Sequence, residues 1–201
     1  MSRKRTTLRA ALAAAATLLP TAAWAHPGHD AGVGFVHGFV HPVTGLDHVL
    51  AMVAVGLFAA QLGGRALWAL PLSFVSVMAV GGALGFAGIA VPFVETGIAL
   101  SVIVLGLAVA LQWKAPVAAA MALVGLFAVF HGYAHGAEMP VDTSGFEYGL
   151  GFVMATMILQ MLGIGLAFSI ARLGQVATPR TIRIGGAAMA VAGVGILGGF
   201  I

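Results

Sequence analysis

Residues 43–62 read Val-Thr-Gly-Leu-Asp-His-Val-Leu-Ala-Met-Val-Ala-Val-Gly-Leu-Phe-Ala-Ala-Gln-Leu. A helix of about twenty residues reaches ~30 Å, the hydrocarbon thickness of a bilayer. The run is otherwise almost wholly apolar or small, yet it carries an aspartate and a histidine near its start. It predicts a membrane-spanning helix with polar chemistry at one end. Further apolar runs of similar length follow at 66–86, 92–111, 116–135, 146–171 and 182–201. The expected fold is therefore all-α: a polytopic membrane helix bundle of about six transmembrane helices, forming one domain over 26–201.

Composition supports this. Of 201 residues, 61% are hydrophobic and only 7% charged. Soluble domains carry about 25% charged residues, so a soluble fold of this composition would expose a large apolar surface. The 29 glycines fit helices that approach one another closely in lipid. There is no cysteine, hence no disulfide framework and no thiolate ligand.

The N-terminus has a different character. Arg3, Lys4, Arg5 and Arg9 precede an apolar stretch, and Ala23-Trp24-Ala25 follows it. A basic region, an apolar region and a small-x-small site make residues 1–25 a secretory signal peptide, read either as cleaved or as an uncleaved anchor. In both cases residue 26 starts outside the cytoplasm, and 26–36 form a short polar, Gly-rich leader. Without 1–25 the formal charge of +3 becomes −1, with five basic and six acidic groups. The basic balance of the whole chain thus gives no reason to expect nucleic acid as a partner.

An outside N-terminus places the loops around 63–65, 112–115 and 172–181 in the cytoplasm. Arg65, Lys114, Arg172, Arg180 and, just inside the next helix, Arg183 are all the remaining basic residues. Their placement satisfies the positive-inside bias, and Trp68 and Trp113 stand beside Arg65 and Lys114 as interfacial anchors. All seven histidines and all six acids then fall toward the opposite, periplasmic face of the inner membrane.

Two clusters carry chemistry. The first is His37-Gly-Phe-Val-His41-Pro-Val-Thr-Gly-Leu-Asp47-His48. On a continuous helix His37, His41 and His48 would share a stripe about 40° wide. Proline suits the first helical turn, so the span is expected to begin near Pro42 with His41 at its mouth. An ionisable group such as Asp47 within a span faces the bundle interior or a cavity. It either ligates a metal directly or orients a ligating imidazole. The second cluster is His131-Gly-Tyr-Ala-His135-Gly-Ala-Glu138, whose spacings of four and seven put three polar groups on one face. Imidazoles and carboxylates together suit divalent nickel, copper, zinc and cobalt. The alternative is buried histidines that bond across helices, but five histidines (His37, His41, His48, His131, His135) with Asp47 and Glu138 at one end of a bundle favour a metal site.

The likeness of His37-Gly-Phe-Val-His41 to His131-Gly-Tyr-Ala-His135 hints at a 3+3 inverted repeat with the site at its interface. Chance similarity in a Gly-rich chain is the alternative. Accessory candidates are His37, Glu95 (facing the cavity or an interfacial acid), Met52 (thioether ligand or packing) and Gln160 (lining the route or bonding a neighbouring helix). His26, which cleavage would make the N-terminus, would join His29 and Asp30 in capturing metal before it enters, unless the leader is inert.

His41-Pro-Val-Thr-Gly-Leu-Asp47-His48-Val-Leu-Ala-Met-Val-Ala-Val-Gly56 resembles the HPxxGxDHxLAMxxVG stretch of the hydrogenase/urease accessory permeases, the HupE/UreJ family. Phe130-His131-Gly-Tyr-Ala-His135-Gly-Ala-Glu138 is similar to that family's second motif. The resemblance covers the whole chain. It implies secondary permeation of Ni2+, in some members Co2+, from periplasm to cytoplasm for hydrogenase or urease maturation. It carries the motif residues onto His41, Asp47, His48, His131, His135 and Glu138. Zn2+ is a further candidate ion by ligand chemistry.

Other classes fit less well. No Walker-type glycine loop is present to suggest ATP-driven transport, and Gly132 stands where an H-E-x-x-H zinc motif needs glutamate. The chain is thus not expected to be an enzyme. The alternatives are a membrane-embedded metal-dependent enzyme or a periplasm-facing metal-binding accessory protein.

Overall fold

The computed structural model describes residues 33–140, 143–173 and 178–201. The signal-peptide segment and the candidates His26 and His29 lie outside the described residues. Within them the chain forms seven helices and no strand. They are α1 (Val33–Thr44), α2 (Leu46–Leu62), α3 (Ala66–Phe86), α4 (Val94–Ala110), α5 (Val117–Ala137), α6 (Gly145–Leu173) and α7 (Thr178–Leu197).

Four of these helices, α3, α5, α6 and α7, are long and apolar enough to cross a bilayer. The pair α1 and α2 passes the same test as one broken span, bent by 81°. Helix α4 is a shorter apolar helix of 17 residues. The protein is thus a multi-pass membrane protein. The six-span expectation is met only if the bent pair counts as one span and α4 as a short one.

The largest departure from the sequence reading lies at the start. No helix begins at Pro42, and 33–36 are helical rather than part of a leader. Pro42 sits inside the last turns of α1, and the break falls three residues later. Gly45 adopts an extended conformation, φ −82° and ψ 115°, and its carbonyl accepts the first bond of α2 from the Val49 amide. Proline removes one helical donor and crowds the carbonyl four residues back. That residue is Gly38, which packs against the Tyr148 backbone so closely that a Cβ would collide with it. Gly151 of α6 meets the Phe35 carbonyl in the same way. Packing on α6 therefore holds α1 helical through its proline. His37, His41 and His48 consequently do not share one continuous stripe.

Close backbone approach recurs through the bundle. Gly81 and Gly85 of α3 interleave with Gly132 and Gly136 of α5, Gly56 of α2 meets Gly163 of α6, and Gly106 of α4 meets Gly186 of α7. Side chains at these crossings would overlap the facing backbone. Without a hydrophobic drive between helices in lipid, such contacts supply the dispersion that holds a bundle together. The buried core, including Met52, Phe58, Phe74, Met78 and Leu105, lies between these crossings.

The two ends of the bundle differ chemically. At one end Gln61 donates its amide to the carbonyls of Ala108 (3.4 Å) and Trp113 (3.2 Å), and Arg183 donates to Ala110 (3.0 Å). These bonds tie α2, α4 and α7 near the basic residues. At the other end the starts of α2 and α4 meet the last turn of α5. The histidines and carboxylates collect there.

Candidate metal site

Asp47 is in the first turn of α2 and Glu95 in the first turn of α4. Helix N-termini carry partial positive charge and unpaired N–H groups, which favour a carboxylate there even in apolar surroundings. Asp47 accepts the His48 amide at 2.6 Å. The chain enters α4 through Phe93, whose φ of 59° is left-handed. That turn sets Glu95 over the same space as Asp47.

The space is a cavity of about 220 Å³ lined by His41, Asp47, Glu95, His131, His135 and Glu138 together with Thr44, Gly45, Ile98 and Ala134. A second cavity, about 240 Å³, lies on the far side of His41, Thr44 and Glu138 and is lined also by His37, Pro140 and Tyr148. His41 Nε2 stands 3.0 Å from Glu138 Oε2, so this pair forms part of the wall between the two chambers. Their side chains are 41% and 58% exposed, which makes them the solvent-facing tier. Ligand atoms of His41, His135 and Glu138 lie within 4.8 Å of one another, a spacing one metal ion can bridge after small side-chain movement.

A second tier lies deeper. His48 and His131 are each 1% exposed. Their ring centroids are 5.2 Å apart, and His48 is 5.0 Å from His135, which is in turn 4.8 Å from His41. Four imidazoles thus form a connected series from the exposed pair to the buried one. Phe152 flanks His48 and His135, and Phe74 flanks His131. Buried imidazoles need partners. His48 Nε2 is 3.1 Å from the Thr156 hydroxyl, and His131 Nε2 is 2.8 Å from the Ser101 hydroxyl. The Nδ1 atoms of His48 and His135 are buried with no hydrogen-bond partner. A buried donor left unmade costs about 1–3 kcal/mol, whereas a lone pair there is available to a cation.

The six expected ligands are therefore brought together, five on the cavity wall and His48 directly behind them. Glu95 joins the cavity. His37 lies apart, exposed in the outer chamber. Met52 and Gln160 are buried one helical turn below His48 and Thr156, with the Gln160 amide 3.5 Å from Met52 Sδ and Gln160 Oε1 unpartnered. Sequence reasoning missed Ser101 and Thr156. Each is a hydroxyl in an apolar run, with no spacing pattern that singles it out, and only the structure shows both to be wholly buried.

With this arrangement in view, comparison with known proteins is decisive. The family described as HupE / UreJ protein matches residues 14–196. The chain belongs to the HupE/UreJ family. Protein HupE of Rhizobium leguminosarum bv. viciae is 50% identical over 197 residues, covering 98% of each chain. No solved structure gives a significant match. Both clusters of this HupE/UreJ chain lie inside the matched region, so the cavity and the buried imidazoles belong to the part shared with the family.

Proposed function

We propose that this protein is a secondary permease that carries Ni2+, with Co2+ as a second substrate, from the periplasm across the inner membrane to the cytoplasm, where it serves maturation of a hydrogenase or urease. The supporting observation is the connected series His41, His135, His48, His131, which runs from the solvent-facing His41–Glu138 pair into the bundle. Family membership supports the accessory role, and the segregation of basic residues from the histidine end supports the inward direction.

The ion would arrive at the outer chamber by way of His37 and exchange part of its hydration for His41, His135 and Glu138. Asp47 and Glu95 supply negative charge on the cavity wall, offsetting part of the cost of taking a divalent ion out of water. His48 and His131 would then receive it among apolar walls. Met52 and Gln160, one turn further, would offer a soft sulfur and a carbonyl oxygen. A site made of imidazole and carboxylate, with no thiolate, binds firmly enough to select and weakly enough to release.

The test is uptake by reconstituted protein in liposomes. Ni2+ and Co2+ should accumulate ahead of Zn2+ and Mg2+, without ATP. Stoichiometric binding with no accumulation would instead assign a metal-binding accessory role.

A further inference from the structure

His48 and His131 are held in the same manner from two different helices. The Ser101 hydroxyl, on α4, lies 2.6 Å from the Ile98 carbonyl, to which it donates. A hydroxyl has one hydrogen, so toward His131 Nε2, 2.8 Å away, it can only accept. The Thr156 hydroxyl, on α6, has Met78 Sδ at 3.7 Å and His48 Nε2 at 3.1 Å. A thioether can only accept, so the hydroxyl hydrogen can go to it while the oxygen accepts from Nε2. The opposite assignment would put a hydrogen on His48 Nδ1, which is buried with no acceptor.

We propose that Ser101 and Thr156 are positioning residues that lock His131 and His48 in the Nε2–H tautomer, so that both present an unprotonated Nδ1 to the metal before it arrives. The inference rests on the permease reading for its purpose, although the tautomers themselves do not depend on it. In metal sites the hydrogen bond made by one ring nitrogen selects which nitrogen ligates, and loss of that partner typically costs about 10–100-fold in affinity or activity. Here the partners are neutral hydroxyls rather than carboxylates. A carboxylate behind each ring would strengthen ligation and add charge in the bundle. A hydroxyl fixes orientation alone, as a site that must release its ion requires.

The test uses the full chain in lipid nanodiscs with 15N-labelled histidine, the two signals being assigned by their loss in His48→Gln and His131→Gln. In the metal-free protein both residues should show a protonated, pyrrole-type Nε2 and a pyridine-type Nδ1. Diamagnetic Zn2+ should then shift Nδ1 of both. Ser101→Ala should release the His131 tautomer and weaken zinc binding by about 10–100-fold, and Ser101→Thr should restore both. Thr156→Val and Thr156→Ser should behave likewise for His48. A protonated Nδ1 at either histidine of the wild type, zinc shifting Nε2 instead, or unchanged tautomers and affinity in Ser101→Ala and Thr156→Val would overturn the proposal. The wild-type spectrum decides it even where an alanine variant does not fold. Failure of liposome uptake would count against the permease reading alone, because tautomer and zinc binding are read without transport.

Discussion

The outer tier, His41 with Glu138, and the inner tier, His48 with His131, use the same imidazole chemistry in opposite surroundings. The outer pair is about half exposed, with a carboxylate 3.0 Å from the ring. The inner pair is 1% exposed, and each ring is anchored by a hydroxyl. An exposed ligand next to a carboxylate exchanges with water readily and attracts cations. A buried imidazole held by hydroxyls gives up little hydration on binding and has one nitrogen free. The outer tier is suited to capture and the inner tier to passage. His135, in ring contact with both His41 and His48, joins them.

The strongest way to break this arrangement is to move the helix that carries both His131 and His135. Gly132→Leu would drive a side chain into the Met78 carbonyl, where even a Cβ collides. Overpacking a tight site costs at least about 1–3 kcal/mol, and here the obstacle is backbone, so we expect little monodisperse protein after extraction, measured by size-exclusion yield. Next comes the inner tier. His48→Gln should reduce the maximal rate of Ni2+ uptake by more than about 100-fold, beyond the 10–100-fold typical of losing a partner behind a ligand. The outer tier should respond in affinity instead. Glu138→Gln should raise the KM for Ni2+ by about tenfold with a maximal rate changed less than about twofold, since only capture is affected. Equal effects of Glu138→Gln on rate and KM would erase the distinction between tiers.

Acidity should act in the same direction as the outer-tier substitution. Ligating imidazole must be unprotonated, so binding is favoured above the imidazole range and lost as external pH falls through it. Uptake at low Ni2+ should therefore fall about tenfold or more between about pH 7.5 and about pH 5.5, and high Ni2+ should recover part of it. His37→Gln, at the exposed wall of the outer chamber, should have the smallest effect, less than about twofold.

The parts legible in the sequence were those governed by local pattern. The run at 66–86 became α3 with the same limits, because a stretch without a charged residue is bounded by Gly-Gly-Arg on one side and a glycine turn on the other. The four-residue spacing of His131 and His135 placed both on one face of α5. What the sequence concealed depends on contacts between distant segments. Helix α1 forms although it contains Pro42, because α6 offers it a groove at Tyr148 and Gly151. The 81° bend then brings His41 back toward His48 by a route that helical spacing alone does not predict. Ser101 and Thr156 carry no spacing signal. Their role follows only from which ring each one meets across the bundle.

Transport through the inner tier is tested most directly by Ni2+ uptake into proteoliposomes containing equal amounts of folded wild type, His48→Ala and His131→Ala protein. The wild type should accumulate Ni2+, and both variants should fall to the level of protein-free liposomes. Equal uptake by all three would contradict passage through the buried histidines.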